Sequence, residues 1–132
     1  MADVDVPDDL LYTAEHEWVR VDGNTVTLGI SDYAQDALGE VTFVELPDVD
    51  FGAVQGEEFA VVESLKAASD IYAPVSGTVI EVNALLEEEP NRVNESPYGD
   101  GWLCKLADVP AADLDELLSP EQYRALLQTE SS

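Results

Sequence analysis

Apolar and polar positions alternate through the first half of the chain. The run His16-Glu17-Trp18-Val19-Arg20-Val21 has a period of two, Asp22-Gly23 follows as hairpin-turn chemistry, and Thr25-Val26-Thr27-Leu28 resumes the alternation, which predicts a β-hairpin with His16 as an ordinary strand residue. Ser31 is a good N-cap, Asp32 belongs in a first helical turn and Gly39 follows Leu38 as a stop, so Asp32 to Leu38 reads as a short helix. Val41 to Leu46 is a strand ended by Pro47. From Gly56 the pattern is strand (Glu58 to Glu63), tight connection (Ser64 to Ser69) and strand (Asp70 to Ala73) up to Pro74. Strands at Val79 to Asn83 and Trp102 to Leu106 complete the series. Many short strands punctuated by Gly, Pro, Asp and Asn predict a mostly β fold, a small barrel or sandwich.

The period changes near the C-terminus. Leu114, Leu117 and Leu118 fit one short helix, and Ser119-Pro120-Glu121-Gln122 is a capping box with Pro at the first helical position, opening a helix that carries Tyr123, Leu126 and Leu127. Both helices are expected to pack their apolar stripe on the barrel, and Glu87-Glu88-Glu89 reads as a solvated loop.

The 132 residues suit a single domain spanning 1–132, and 45% hydrophobic content is enough for a core. Five Lys and Arg against 29 Asp and Glu leave a net charge of −24, a field that repels nucleic acid and anionic membrane surfaces. The acidic residues are interleaved with apolar ones from Asp3 to Glu130, the pattern of an acidic folded surface. Such a surface suits a cytoplasm of very high salt and predicts a halophilic source; an acidic docking face for basic partners is the competing reading. Met1 to Asp5 has no basic region or apolar run, and no later stretch is long enough to cross a membrane, which predicts a cytoplasmic protein.

Candidates for catalysis are few. His16 is the one histidine, flanked by Glu15 and Glu17 without metal-ligand spacing, and the lone Cys104 lies in an apolar run as a small buried side chain. No Gly-rich phosphate loop is present. Lys66 stands apart. It is one of two lysines in a chain that otherwise selects carboxylates, and it falls at the tip of a hairpin in Glu63-Ser64-Leu65-Lys66-Ala67-Ala68-Ser69-Asp70, where a rigid base presents its amine for acylation by another enzyme.

From about Tyr12 to Leu127 the chain resembles the lipoyl-bearing H protein family of the glycine cleavage system. The resemblance rests on His16-Glu17-Trp18-Val19, Gly29-Ile30-Ser31-Asp32-Tyr33-Ala34-Gln35, Leu38-Gly39-Glu40 and Val44-Glu45-Leu46-Pro47. It continues through Val62 to Asp70 around the lysine, Pro74-Val75-Ser76-Gly77, Val82-Asn83 and Asn94 to Trp102, in this order and spacing. It implies a lipoyl/biotinyl-carrier-type barrel-sandwich hybrid with short peripheral helices and a helical C-terminus. It also implies lipoate in amide linkage on Lys66 and a carrier rather than an enzyme. The implied partners are a lipoate-attaching enzyme, a pyridoxal-phosphate glycine decarboxylase that loads the arm with an aminomethyl group, a tetrahydrofolate-dependent aminomethyltransferase that unloads it, and an FAD-containing dihydrolipoyl dehydrogenase that reoxidises the dithiol.

In the family the loaded arm folds into a surface cleft, where two carboxylates contact its amine; they match Glu17 and Asp70 here. Glu15 stands where the family often has a small hydroxyl residue, so it either makes the cleft more negative or faces solvent. Ser31 replaces a usual threonine and Cys104 a usual aliphatic residue, while Lys105 is expected to be structural, paired with a carboxylate. Three rivals remain beside this reading. Biotin carriers flank their lysine with methionines, whereas Leu65 and Ala67 flank Lys66; phosphopantetheine carriers place a serine like Ser64 at a helix N-terminus, whereas strands surround it here. A lipoate-relay or other lipoyl/biotinyl carrier module would keep the lysine without serving glycine breakdown.

Overall fold

The computed structural model describes residues 4–130, so the expectation drawn from Met1, Ala2 and Asp3 lies outside the described residues. The alternating N-terminal half forms antiparallel ribbons: β1 (Leu11–Tyr12), β2 (Glu17–Asp22) and β3 (Thr25–Ile30). Gly23, at φ 62°, opens the two-residue turn between β2 and β3. Helix α1 (Asp32–Leu38) follows, its first turn capped by Ser31 Oγ, which accepts from the Ala34 N–H at 3.2 Å, and its end turned by Gly39 at φ 79°.

The next five elements are all strands: β4 (Val41–Glu45), β5 (Gly52–Ala53), β6 (Glu58–Ser64), β7 (Ala68–Tyr72) and β8 (Gly77–Val82) bring the chain to α2 (Leu85–Glu88) and α3 (Arg92–Glu95). β9 (Cys104–Ala107), α4 (Ala111–Asp115) and α5 (Pro120–Glu130) complete the chain. The strands form two antiparallel sheets, one in the order β1-β2-β3-β9-β8-β5 and one in the order β4-β6-β7. Their inward residues, among them Val19, Leu28, Val44, Val62, Ile71, Val79 and Leu106, make a common core, so the fold is the mostly β barrel-sandwich arrangement expected from the sequence. A register shift in β4 between Val41 and Phe43 leaves both Val41 and Val44 facing this core despite their odd spacing.

The outer face of β1 and β2 is covered as well. Tyr12 and Trp18 are directly opposite in register, and both are fully buried beneath Val6, Leu10 and the Tyr123 and Leu127 stripe of α5. α5 begins in the capping box read from the sequence: the Gln122 N–H donates to Ser119 Oγ at 3.1 Å and the Ser119 N–H to Gln122 Oε1 at 2.9 Å.

Three local expectations are corrected. Glu87 and Glu88 lie in α2 rather than in a loop, and Glu89 closes it and pairs with Arg92 at 2.9 Å. α4 ends at Asp115, and Leu118 instead exchanges two backbone hydrogen bonds with Tyr12, extending the sheet edge. His16 precedes β2, at φ 73°, because the chain reverses between β1 and β2 in a turn closed by Thr13 and Glu17. No helix among the described residues is long and apolar enough to cross a membrane. Cys104 is buried and in no disulfide, its thiol pushed up to about 12 by loss of water, and Lys105 lies 3.7 Å from Glu81 and over the Trp102 ring.

Gly29 backs directly onto the indole of Trp18, and a Cβ there would lie 2.6 Å from three of its ring atoms. The ring is fully buried and tethered by its N–H to the Pro97 carbonyl at 2.9 Å, so it has nowhere to move. Gly29→Ala should therefore lower stability by about 1–3 kcal/mol in urea unfolding; a loss below a few tenths would mean that the β2–β3 register is wrong.

Candidate functional site

The tip between β6 and β7 is a two-residue turn, Leu65-Lys66, in which Ser64 ties the ends together. Its N–H donates to the Ala67 carbonyl at 2.8 Å, and its Oγ accepts from the N–H groups of Lys66 and Ala67 at 3.2 and 3.3 Å. The tip is anchored from outside by the Leu65 N–H, which reaches the Glu40 carbonyl at 3.2 Å. That corner is itself held by Asn94: its side-chain amide donates to the Gln35 side chain and the Gly39 carbonyl and accepts from the Val41 N–H. Lys66 is thus exposed on a braced support.

The other four cations are engaged: Arg92 and Arg124 pair with carboxylates, Lys105 with Glu81, and Arg20 stacks 5.0 Å from the Trp18 ring. Among the described residues Lys66 pairs with no carboxylate. Its Nζ donates a long hydrogen bond, 3.4 Å, to the Ala37 carbonyl near the end of α1. Gly39 leaves space for the lysine stem, since a Cβ there would meet Lys66 Cε at 3.3 Å.

From this point a cleft of about 430 Å³ runs between α1 and β7. One wall is the stripe Tyr33, Ala34, Ala37 and Leu38 of α1, a helix that buries no residue completely; the other is Ala68 to Tyr72 along β7, an edge strand. The floor includes Ile30, and Glu15 and His16 lie with them. The groove is apolar along α1 and carries carboxylates from Glu15 and Asp70, both exposed.

Glu17 occupies a different place. It is only 2% exposed, because it takes an inward position of β2 two residues before Val19. It lines an adjoining cavity of about 290 Å³, separated from the cleft by Glu15 and Tyr72, which line both. The Thr13 hydroxyl donates to Glu17 Oε1 at 2.6 Å, and both this bond and the nearby Tyr72 backbone favour the ionised form. Burial nevertheless outweighs both and, with the nearby Glu15 charge, pushes the Glu17 carboxyl up to about 7. The structure therefore lines the cleft with Asp70, leaves Lys66 beside it with its Nζ against the Ala37 carbonyl of the α1 wall, and sets Glu17 behind it.

Comparison with known proteins decides the family. The model of the glycine cleavage H-protein family matches residues 10–130. The chain belongs to the glycine cleavage H-protein family. A glycine cleavage system H protein of Carboxydothermus hydrogenoformans is 56% identical over 95% of this chain and 96% of its own length. One of Thermus thermophilus is 53% identical over 97% of this chain and 100% of its own. The crystal structure of a glycine cleavage system H protein from Mycobacterium marinum superposes with a TM-score of 0.82 at 38% identity, covering 91% of this chain and 97% of that one.

Within this H-protein framework the site gains a wall that the sequence does not mark as functional, and it takes in His16 and Glu15. The spacing of Tyr33, Ala34, Ala37 and Leu38 is a readable amphipathic stripe, but a sequence does not show that nothing covers it. His16 lines the cleft with its ring 4.7 Å from that of Tyr33, in a left-handed conformation that costs a non-glycine residue on the order of 1 kcal/mol. Glu15 is exposed and lines the cleft, so it adds its negative charge there rather than facing only solvent.

The Glu17 carboxyl titrates at about 7 when folded against an ordinary 4.5. Below about 4.5 both states are protonated and the folded state gains fully from this preference; as pH rises to about 7 the unfolded state alone ionises freely, and the gain disappears. Relative to Glu17→Gln, the wild type should lose about 3 kcal/mol of stability between about pH 4.5 and pH 8. Parallel pH profiles of urea unfolding for the two proteins would show that Glu17 is not buried as an acid.

Proposed function

We propose that this H-protein family member carries a lipoyl group in amide linkage on Lys66 and serves as the aminomethyl carrier of the glycine cleavage system. The observation that carries the reading is the position of Lys66: the cation without a carboxylate partner, on a braced hairpin tip, at the mouth of an apolar cleft. The donor set fits such a group. An amide-linked aliphatic arm matches the apolar α1 stripe, and Gly39 leaves room for its root. When bound, lipoate supplies the disulfide that opens to accept the aminomethyl group.

The chain's own residues hold, shield and neutralise. Lys66 supplies the attachment nitrogen, and α1 with β7 would shelter the aliphatic stem. Asp70 and Glu15 meet a protonated amine in the cleft, and Glu17, poised near neutral pH, can receive or release a proton just behind it. A carrier and not a catalyst, the chain needs partners: a lipoate-attaching enzyme, the decarboxylase, the aminomethyltransferase and the dihydrolipoyl dehydrogenase. Residues 1–132 are read as one carrier domain. The net charge of −24, together with a Haloarcula marismortui homologue 56% identical over 91% of this chain, supports a cytoplasm of high salt as its setting.

Intact-mass measurement after incubation with lipoate and an attaching enzyme should show one lipoyl adduct, absent from Lys66→Arg; an adduct that survives this substitution would overturn the assignment. Glycine-dependent carbon exchange with the decarboxylase at high salt should require the modified chain, and no exchange by fully lipoylated protein would favour a lipoate relay. Asp70→Asn should leave lipoylation intact but shorten the lifetime of the loaded arm several-fold, measured as release of the carried group without transferase; an unchanged lifetime removes Asp70 from the site.

A further inference from the structure

The cleft is built from segments distant in sequence, yet one hydroxyl joins the cap of its α1 wall to His16, which lines it. The Tyr123 phenol of α5 lies 2.6 Å from Ser31 Oγ and 2.9 Å from His16 Nδ1, contacts that span 92 and 107 residues. Ser31 Oγ caps α1 through the Ala34 N–H, and Ala34 belongs to one wall; His16 lines the cleft beside it. The Ser31 N–H also donates to the His16 carbonyl at 2.9 Å, which closes the junction on itself. A hydroxyl has one proton and two lone pairs, enough to serve Ser31 and His16 together. The Tyr123 ring is fully buried and stacked on Tyr12, with centroids 4.4 Å apart and planes 1° apart, so the position of its hydroxyl is set by the sheet rather than by the helix end alone. His16 keeps its left-handed backbone in the same place, a conformation that persists where surrounding contacts over-determine it.

We propose that Tyr123 is a positioning residue for the carrier cleft. Its hydroxyl fixes the N-terminal end of α1 against His16, so that the C-terminal helix governs how tightly the cleft retains a loaded arm. The proposal rests on the reading of this cleft as the seat of the arm, and its consequence is a functional coupling between α5, which does not line the cleft, and the lifetime of the carried group.

The test compares Tyr123→Phe with Tyr12→Phe. Each keeps the stacked rings and removes one phenol hydroxyl; that of Tyr12 donates to the Pro7 carbonyl at 2.7 Å, away from the cleft. In the unlipoylated chain, amide hydrogen exchange of residues 34–38 should quicken about tenfold in Tyr123→Phe, and the His16 ring resonances should shift, with neither change in Tyr12→Phe. In the lipoylated, aminomethyl-loaded protein, the carried group should be lost several-fold faster in Tyr123→Phe alone. Equal behaviour of the two variants in exchange and in lifetime overturns the proposal. Quickened exchange with a wild-type lifetime overturns it too, and places the failure in the reading of the cleft rather than in the junction.

Discussion

The insertion of β9 between β3 and β8 is the constraint on which the remaining structure depends. Leu28 pairs with Cys104 on one side and Val79 with Leu106 on the other, so strands from the two ends and the middle of the chain share one sheet. Closing such a long loop costs entropy, but each doubling of loop length adds only about 0.6 kcal/mol. Complete burial of Leu103 and Leu106 returns about 1.5–3 kcal/mol apiece. Asn83 secures the approach, its side-chain amide donating to the Asp100 and Trp102 carbonyls at 2.7 and 2.8 Å. With β9 in place, the N-terminal hairpin that bears Glu17 shares a core with the β6–β7 hairpin that bears Lys66.

The cleft is a by-product of that closure. α1 links the two sheets along the chain without burying any side chain completely, and β7 is left as an edge, so a groove remains that is apolar along α1. Charge is arranged around it. An ammonium that pairs with no carboxylate among the described residues stands at Lys66, exposed carboxylates at Glu15 and Asp70, and at Glu17 a carboxyl whose pKa burial raises to about 7. In a chain of net charge −24 this contrast is informative: surface carboxylates interact with water and salt, whereas the desolvated one behind the cleft is tuned by its surroundings.

Much of this was legible beforehand because it is local. The β2–β3 turn, the Ser31 cap, the Gly39 stop and the Ser119–Gln122 capping box each depend on residues a few positions apart, and each was read at its place. Lys66 was legible for a related reason, since a hairpin tip and a near absence of lysine are both visible in one dimension. Two of the three differences came where a distant partner took over. Leu118 left its helix because Tyr12 offers it two backbone bonds, and His16 left its strand because the chain must reverse between β1 and β2.

Period, caps and turn residues thus determined the element types, the braced lysine and, through the order of the motifs, the family. Tertiary structure alone decided which walls enclose the cleft, that Asp70 lines it while Glu17 lies buried behind it, and that a phenol on α5 caps the joint between His16 and α1. The division has a physical cause. Local hydrogen bonds and steric preferences act within a few residues and leave their mark on adjacent letters, whereas desolvation and long-range packing depend on what the rest of the chain brings alongside.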